Sequence, residues 1–235
     1  MLKIGICDDQ EILRNKLHEI VCECLSELKM EAEIYIYSSG KEVISDSKKL
    51  DLLFLDIEMP EMDGIETGHT LRKQGFDGKI IMASSVVERF KETFTIQAFR
   101  FVTKPVEKSE VLRVLEAYMN TRLGMKKIKV YRKRNEFVFQ QKDILYINSI
   151  NSAVEFHMKK GVFRKEISLS EIEEILDDRL FFRISKQYIV NLSKIDSYNK
   201  GIINIRGKDI KVSVRRKKEF EKKYVSFQIM FDTSM

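Results

Sequence analysis

The sequence predicts a doubly wound α/β domain built on five parallel strands, followed by a mostly-β domain, and three observations carry that prediction. The first half alternates short apolar runs with helix-periodic stretches, the rhythm of a parallel sheet covered by helices. The second half has short, closely spaced runs separated by turn signals. Charge changes with the pattern: residues 1–122 carry 17 Lys and Arg against 22 Asp and Glu, net −5, and the remainder carries 25 against 14, net +11. An acidic half is thus joined to a basic one, which favours a polyanionic partner for the second. With 235 residues, 43% of them hydrophobic, the chain can bury one or two cores.

In order, Leu2–Cys7 reads as a strand, and Ile12, Leu13, Leu17, Ile20, Val21, Leu25 and Leu28 recur at helical spacing after it. Further strands are expected at Ile34 and Ile36, at Leu52–Leu55, at Lys79–Ala83 and at Phe99–Thr103. The helix Glu107–Arg122 closes this domain with the stripe Val111, Leu112, Val114, Leu115, Tyr118 and Met119, and Gly124 is its stop signal. The expected organisation is a domain over 1–122, a linker over 123–129 and a second domain over 130–235. In the second, ten short strands are expected between Ile128 and Val212, with Lys160-Gly161, Lys200-Gly201 and Arg206-Gly207 as turns. One helix interrupts them after Ser168 or Ser170, where Ser170 and Glu173 can form a capping box. A basic helix begins near Arg215.

The start of the chain lacks the basic flank, long apolar stretch and small-residue cleavage site of a signal peptide. No apolar run reaches membrane-spanning length. A cytoplasmic protein without membrane contact is expected. Cys7, Cys22 and Cys24 match neither zinc-site nor disulfide spacing, and His18, His69 and His157 are scattered singly.

Chemistry concentrates at strand ends. Asp8 and Asp9 end the first run, Asp56 ends Leu52–Leu55, Ser84 follows the fourth run and Lys104 the fifth. In a parallel sheet the carboxyl ends of the strands form the ligand site, so these groups should meet. Three converging carboxylates repel unless a cation holds them, and magnesium, which takes oxygen ligands and bridges carboxylates to phosphate, is the natural one. One carboxylate is then free to act as nucleophile, with Lys104 neutralising a transferred phosphoryl group. Singly, Asp9 also fits a helix cap, Asp56 a turn before Met59-Pro60, and Lys104 an ordinary surface lysine. Their coincidence at equivalent strand ends favours the site.

Residues 1 to about 122 resemble a CheY-like response-regulator receiver domain, through Cys7-Asp8-Asp9, the run Leu55 to Gly64 (LDIEMPEMDG), Ser84 and Lys104-Pro105. The resemblance implies that Asp56 accepts a phosphoryl group from a sensor histidine kinase. It also implies that Asp8, Asp9, Asp56 and the backbone carbonyl of Glu58 hold Mg2+, and that Lys104 pairs with the phosphate. Ser84 would hydrogen-bond a phosphate oxygen, and Phe101 would be an aromatic switch. The second half resembles the LytTR-type DNA-binding domain through Leu180 to Leu192 (LFFRISKQYIVNL), Ile195 and Val212-Ser213-Val214-Arg215-Arg216. That implies duplex contacts from three loops, at Asn151 and Ser152, at Lys186, and at Arg215 with Arg216. Arg215 has the fork that pairs with guanine, Lys186 suits phosphate or guanine, and Asn151 suits adenine. Lysines 217, 218, 222 and 223 fit phosphates or a merely solvated helix face.

A two-component transcription regulator binding promoter DNA as a homodimer is therefore expected. No catalysis beyond self-phosphorylation and slow autodephosphorylation is expected. A phosphohydrolase with an aspartyl nucleophile typically has a second Asp two residues on, and here that position is Glu58. The alternative is a receiver controlling a protein- or RNA-binding domain.

Overall fold

The computed structural model describes residues 1–46, 49–85 and 87–232. They form two compact units, Met1–Asn120 and Thr121–Met235.

The first unit runs β1 (Leu2–Cys7), α1 (Glu11–Glu27), β2 (Ala32–Tyr37), α2 (Gly40–Ser45), β3 (Leu52–Asp56), α3 (Gly64–Lys73), β4 (Lys79–Ser84), a 3-10 segment Val87–Ile96, β5 (Arg100–Thr103) and α4 (Lys108–Thr121). All pairings are parallel, in the order β2-β1-β3-β4-β5. Every residue of β3 is buried because both faces of the sheet are covered, which is why this strand reads as an unbroken apolar run. The two-residue period divides it. Leu52 and Phe54 pack with Leu17 and Val21 of α1 and Leu115 of α4, while Leu53 and Leu55 pack with Val43 of α2 and Ile65 and Leu71 of α3. The Val87–Ile96 segment is wound tighter than an α-helix. Thr93 and Thr95 donate their hydroxyls to the carbonyls of Phe90 and Glu92, each three residues back and 2.6 Å away, competing with α-helical bonding.

The second unit runs β6 (Lys127–Arg132), β7 (Asn135–Gln140), β8 (Ile144–Ile150), β9 (Ala153–Met158), β10 (Gly161–Lys165), α5 (Leu169–Ile175), β11 (Phe181–Arg183), β12 (Tyr188–Asn191), β13 (Ser197–Asn199), β14 (Ile202–Ile205), β15 (Lys208–Lys211) and α6 (Val214–Asp232). A seven-stranded antiparallel sheet has the order β11-β12-β8-β9-β10-β6-β7, and β13-β14-β15 form a small second sheet. One core joins Ile147, Phe156 and Val190 of the large sheet, Ile203 of the small one, Ile172 of α5 and Phe220 of α6. Strand β6 starts three residues inside the segment read as linker, because Ile128 and Val130 alternate inward and are buried.

The expected capping box at Ser170 and Glu173 is corrected. The cap is Ser168, whose side chain accepts from the Glu171 amide at 3.2 Å while Glu171 accepts from the Ser168 amide at 2.9 Å. Starting the helix there points Leu169 and Ile172, one turn apart, into the core. Ser170 and Glu173 instead both receive Arg183 Nη1 at 3.0 Å. Ser168→Ala should lower the stability of the chain by about 1 kcal/mol in urea unfolding, and Ser170→Ala by less.

A buried polar knot fixes the start of this unit. Asp177 accepts from the Gly124 amide at 3.3 Å and from Arg179, and its own amide donates to the buried Gln141 side chain at 2.8 Å. The Gly124 carbonyl accepts from the Lys142 amide at 2.8 Å. Gly124 has φ +65°, and a Cβ there would lie 2.5 Å from Leu180 Cδ2 and 2.9 Å from the Lys142 nitrogen, so the position requires glycine. Burial alone would raise the Asp177 carboxyl, but the bonds from Arg179 and Gly124 outweigh it and hold it below its ordinary value.

Candidate functional site

The parallel register brings the ends of β1, β3, β4 and β5 to one edge: Cys7 lies opposite Leu55, Asp56 opposite Ala83, and Ser84 opposite Thr103. Asp8, Asp9 and Asp56 thereby converge, offering carboxylate oxygens all within 4.8 Å of one another. Lys104 bridges two of them, with Nζ 2.8 Å from Asp8 Oδ2 and 2.7 Å from Asp56 Oδ2. Its backbone amide donates to the Ser84 carbonyl at 3.0 Å, and the Lys104-Pro105 bond is cis. The Gln10 amide supports Asp8 Oδ1 at 2.9 Å, and the Glu58 amide supports Asp56 Oδ1 at 3.3 Å. Asp9 does not cap α1; the N-cap position is Gln10.

Electrostatics at this edge are strained in a useful way. Burial pushes the Asp56 carboxyl above its ordinary value, and Asp8 adds to the shift against the opposing pull of Lys104. Burial pulls the Lys104 ammonium down, but its bonds to Asp56 and Asp8 outweigh it and leave it raised. Among the described residues, Asp9 Oδ1 is buried without a hydrogen-bond partner. Three carboxylates, one carrying an unanswered oxygen, suit a hard divalent cation that takes oxygen ligands.

Ser84 is buried at the end of β4, one residue past Ala83, the partner of Asp56. Phe101 lies opposite Met82 and is half-buried, edge-on to Phe90 at 5.5 Å; Phe90 is in turn edge-on to Phe94 at 5.1 Å. Two contacts escaped the sequence reading. Ser85 donates to Glu58 Oε2 at 2.9 Å, and Arg14 Nη1 donates to the Asp8 carbonyl at 2.6 Å. The Ser84-Ser85 doublet was the available signal for the first; nothing local marks the second.

In the second unit the three loops, two of them basic, are drawn together by backbone bonds. Asn151 and Ser152 form the exposed β8–β9 turn, with Asn151 at φ +52°. Two residues earlier the Ser149 amide donates to the Gln187 carbonyl at 2.9 Å, joining that turn to the β11–β12 turn that carries the exposed Lys186. Ser185 Oγ braces this second turn by accepting from the Gln187 and Tyr188 amides. The Ser213 amide donates to the Ile184 carbonyl at 2.9 Å, bringing in the start of α6. Lys186, Arg215 and Arg216 then share a cleft of about 290 Å3 with Arg183 and Ser185.

Arg215 and Arg216 differ in what they already hold. Arg215 is exposed. Arg216 is half-buried: Nε donates to the Arg183 carbonyl at 3.1 Å, Nη1 lies 3.3 Å from Glu219, and the guanidinium sits 4.8 Å from the Phe182 ring centre. A neighbouring cleft of about 390 Å3 brings Lys208 and Lys211 of β15 beside Gln187 and Tyr188. The sequence reading passed over these two lysines, although exposed cations three apart on a short strand after a Gly turn were their signal.

Residues 4–116 match the response regulator receiver domain family, and residues 134–224 match the LytTr DNA-binding domain family. The sensory transduction protein LytT of Bacillus subtilis is 23% identical over 94% of this chain and 98% of its own length. The transcriptional regulatory protein NatR of the same organism is 22% identical over 85% and 86%, and the transcriptional regulatory protein YpdB of Escherichia coli 21% over 92% and 96%. Among the described residues no helix is long and apolar enough to cross a membrane. Both matches fall within the two separately folded units, one with the acid edge of a parallel sheet and one with the basic loops of an antiparallel sheet, so the chain belongs to the response regulators that join a receiver domain to a LytTr DNA-binding domain.

Proposed function

We propose that the protein is a phosphorylation-controlled transcription regulator: Asp56 accepts a phosphoryl group from a sensor histidine kinase, and the C-terminal loops bind promoter DNA, two copies acting together. The observation that carries this is Lys104 spanning Asp8 and Asp56 at the edge where Asp9 also converges. Asp8, Asp9, Asp56 and the Glu58 backbone carbonyl would hold magnesium, which when bound supplies positive charge toward the phosphoryl oxygens.

An Asp56 oxygen attacks phosphorus, a P–O bond forms, and the P–N bond of the phosphohistidine breaks with its electron pair passing to the imidazole, which takes a proton from solvent. Lys104 then exchanges its bond to Asp56 for one to the new phosphoryl oxygens, and the Ser84 hydroxyl donates to another. Water later attacks the same phosphorus, the P–O bond to Asp56 breaks with its electron pair returning to the carboxylate, and phosphate leaves with the water's proton passing to solvent; this slow hydrolysis is the only further catalysis assigned. Movement of Ser84 opens space for Phe101, whose inward turn would reshape the face it shares with Phe90 and bias pairing of two copies.

On DNA, Arg215 and Lys186 are assigned to base edges, Asn151 and Ser152 to the first loop's contacts. Arg216, tied to Arg183, Glu219 and Phe182, is better suited to shaping the third loop while reaching a phosphate. The test is selection of genomic fragments on the full chain after treatment with acetyl phosphate and magnesium. A few recovered sites, lost when Lys186 and Arg215 are both changed to alanine, are the expected result. Arg215→Ala alone should cost about 1–3 kcal/mol on those sites and relax preference at one base pair. Equal loss on every fragment would move Arg215 to the backbone. Indiscriminate or absent recovery would turn the basic half toward RNA or protein.

A further inference from the structure

At the end of β9 away from the Asn151 turn, the second unit has a cavity of about 200 Å3. Phe139, Leu145 and Met158 make its floor, and Lys142, Lys159, Lys160 and Lys194 stand around it. Asp143 is the only carboxylate in its lining. Among the described residues none of the four ammonium groups is in an ion pair; Lys160 Nζ instead lies 5.9 Å from the Phe139 ring centre, and Lys142 Nζ contacts Met125 Sδ at 3.4 Å. Four like charges around an apolar floor repel one another and gain from an anion that also carries an apolar group.

The apolar surface does not stop at the cavity. Phe137 stacks parallel to Phe139 at 6.1 Å on the same face of the edge strand β7 and is 37% exposed. A cationic cavity with an exposed ring beside it on an edge strand suits an extended peptide, which can lie along the strand while seating a side chain and its carboxylates in the cavity. β9 is six residues long, so the cavity lies roughly 20 Å from the Asn151 turn, by the rise of an extended strand. An occupant there leaves the basic loops free.

We propose that this pole of the second unit docks an acidic segment of a partner protein, seating one apolar side chain on Phe139, Leu145 and Met158 and its carboxylates on the four lysines. A DNA-bound regulator could hold such a partner at the same time. None of the residues involved lies in the three loops assigned to DNA, so failure here and failure there are separable.

Random dodecapeptides displayed on phage, selected on the full chain and counter-selected on the K159E/K160E chain, read the chemistry of this pole directly. Recovered peptides should be rich in Asp and Glu around a Leu, Phe or Met. A recovered peptide should bind K159E/K160E, and separately K194E, about tenfold more weakly than the unchanged chain, because reversing a rim charge turns attraction into repulsion. Both variants should keep their affinity for the genomic sites within about twofold, since a distant charge is screened over a Debye length. Peptides that are neutral or basic, that bind the variants equally well, or that are not recovered at all would overturn the docking site. A loss of DNA affinity matching that of Arg215→Ala would assign these lysines to the phosphate backbone instead.

Discussion

Asp56→Asn protein is expected to take up no phosphoryl group from acetyl phosphate in magnesium, at least about a hundredfold below the unchanged chain, by intact-mass measurement. The substitution keeps the size of the side chain and an oxygen to receive the Glu58 amide, but it removes the nucleophilic carboxylate. It also removes a buried charge. Burial already pushes the Asp56 carboxyl upward, so the asparagine costs little stability and Lys104 keeps Asp8 as its partner. The melting temperature should therefore be held or raised while uptake is lost, which separates lost chemistry from lost structure. Chelation of magnesium should suppress uptake by the unchanged chain. An asparagine protein still labelled at the original rate would place the acceptor elsewhere.

Lys104→Met should destabilise the metal-free chain by about 3–5 kcal/mol in chemical unfolding, because Asp8 and Asp56, both almost fully buried, lose their shared counter-charge. The pH dependence has a definite sign. Lys104 is raised in the folded chain, so its contribution is full below the ordinary lysine value and disappears as pH rises through the raised one. On the acid side, Asp56 is also raised, and its protonation as pH falls through that value relieves the repulsion left in the variant. The deficit of the variant should thus be greatest near neutral pH and shrink toward both extremes. Added magnesium should recover part of it. A variant as stable as the original at neutral pH without metal would show that the two carboxylates do not depend on this lysine.

What could be read in advance follows from how local each cause is. The run Leu52–Leu55 announces a strand covered on both faces, and the carboxylate that ends it can only lie at the carboxyl edge of a parallel sheet, so Asp56 was legible from its neighbours alone. The stripe from Val111 to Tyr118 likewise gave α4 within a residue or so at each end. The α5 cap was not decidable locally. Ser168 and Ser170 each stand three residues before a glutamate, and only the burial of Leu169 and Ile172 chooses between them. The tightening of Val87–Ile96 depends on which rotamers two threonines adopt. Arg216 reads in sequence as the twin of Arg215, and what distinguishes it is a carbonyl 33 residues away and the face of Phe182, contacts that exist only once the sheet has formed.

The knot around Asp177 sets where this protein can be cut and rejoined. Gly124 precedes β6 by sequence, yet its amide and carbonyl are both spent inside the second unit, on Asp177 and Lys142. A recombination that exchanges C-terminal halves between relatives must therefore keep glycine at position 124. A junction placed after position 124 would leave that residue to the other parent. A side chain there, at φ +65° with its Cβ 2.9 Å from the Lys142 nitrogen, would push the backbone out of its bonds to Asp177 and Lys142, so that the hybrid would begin with a weakened first turn rather than a finished module.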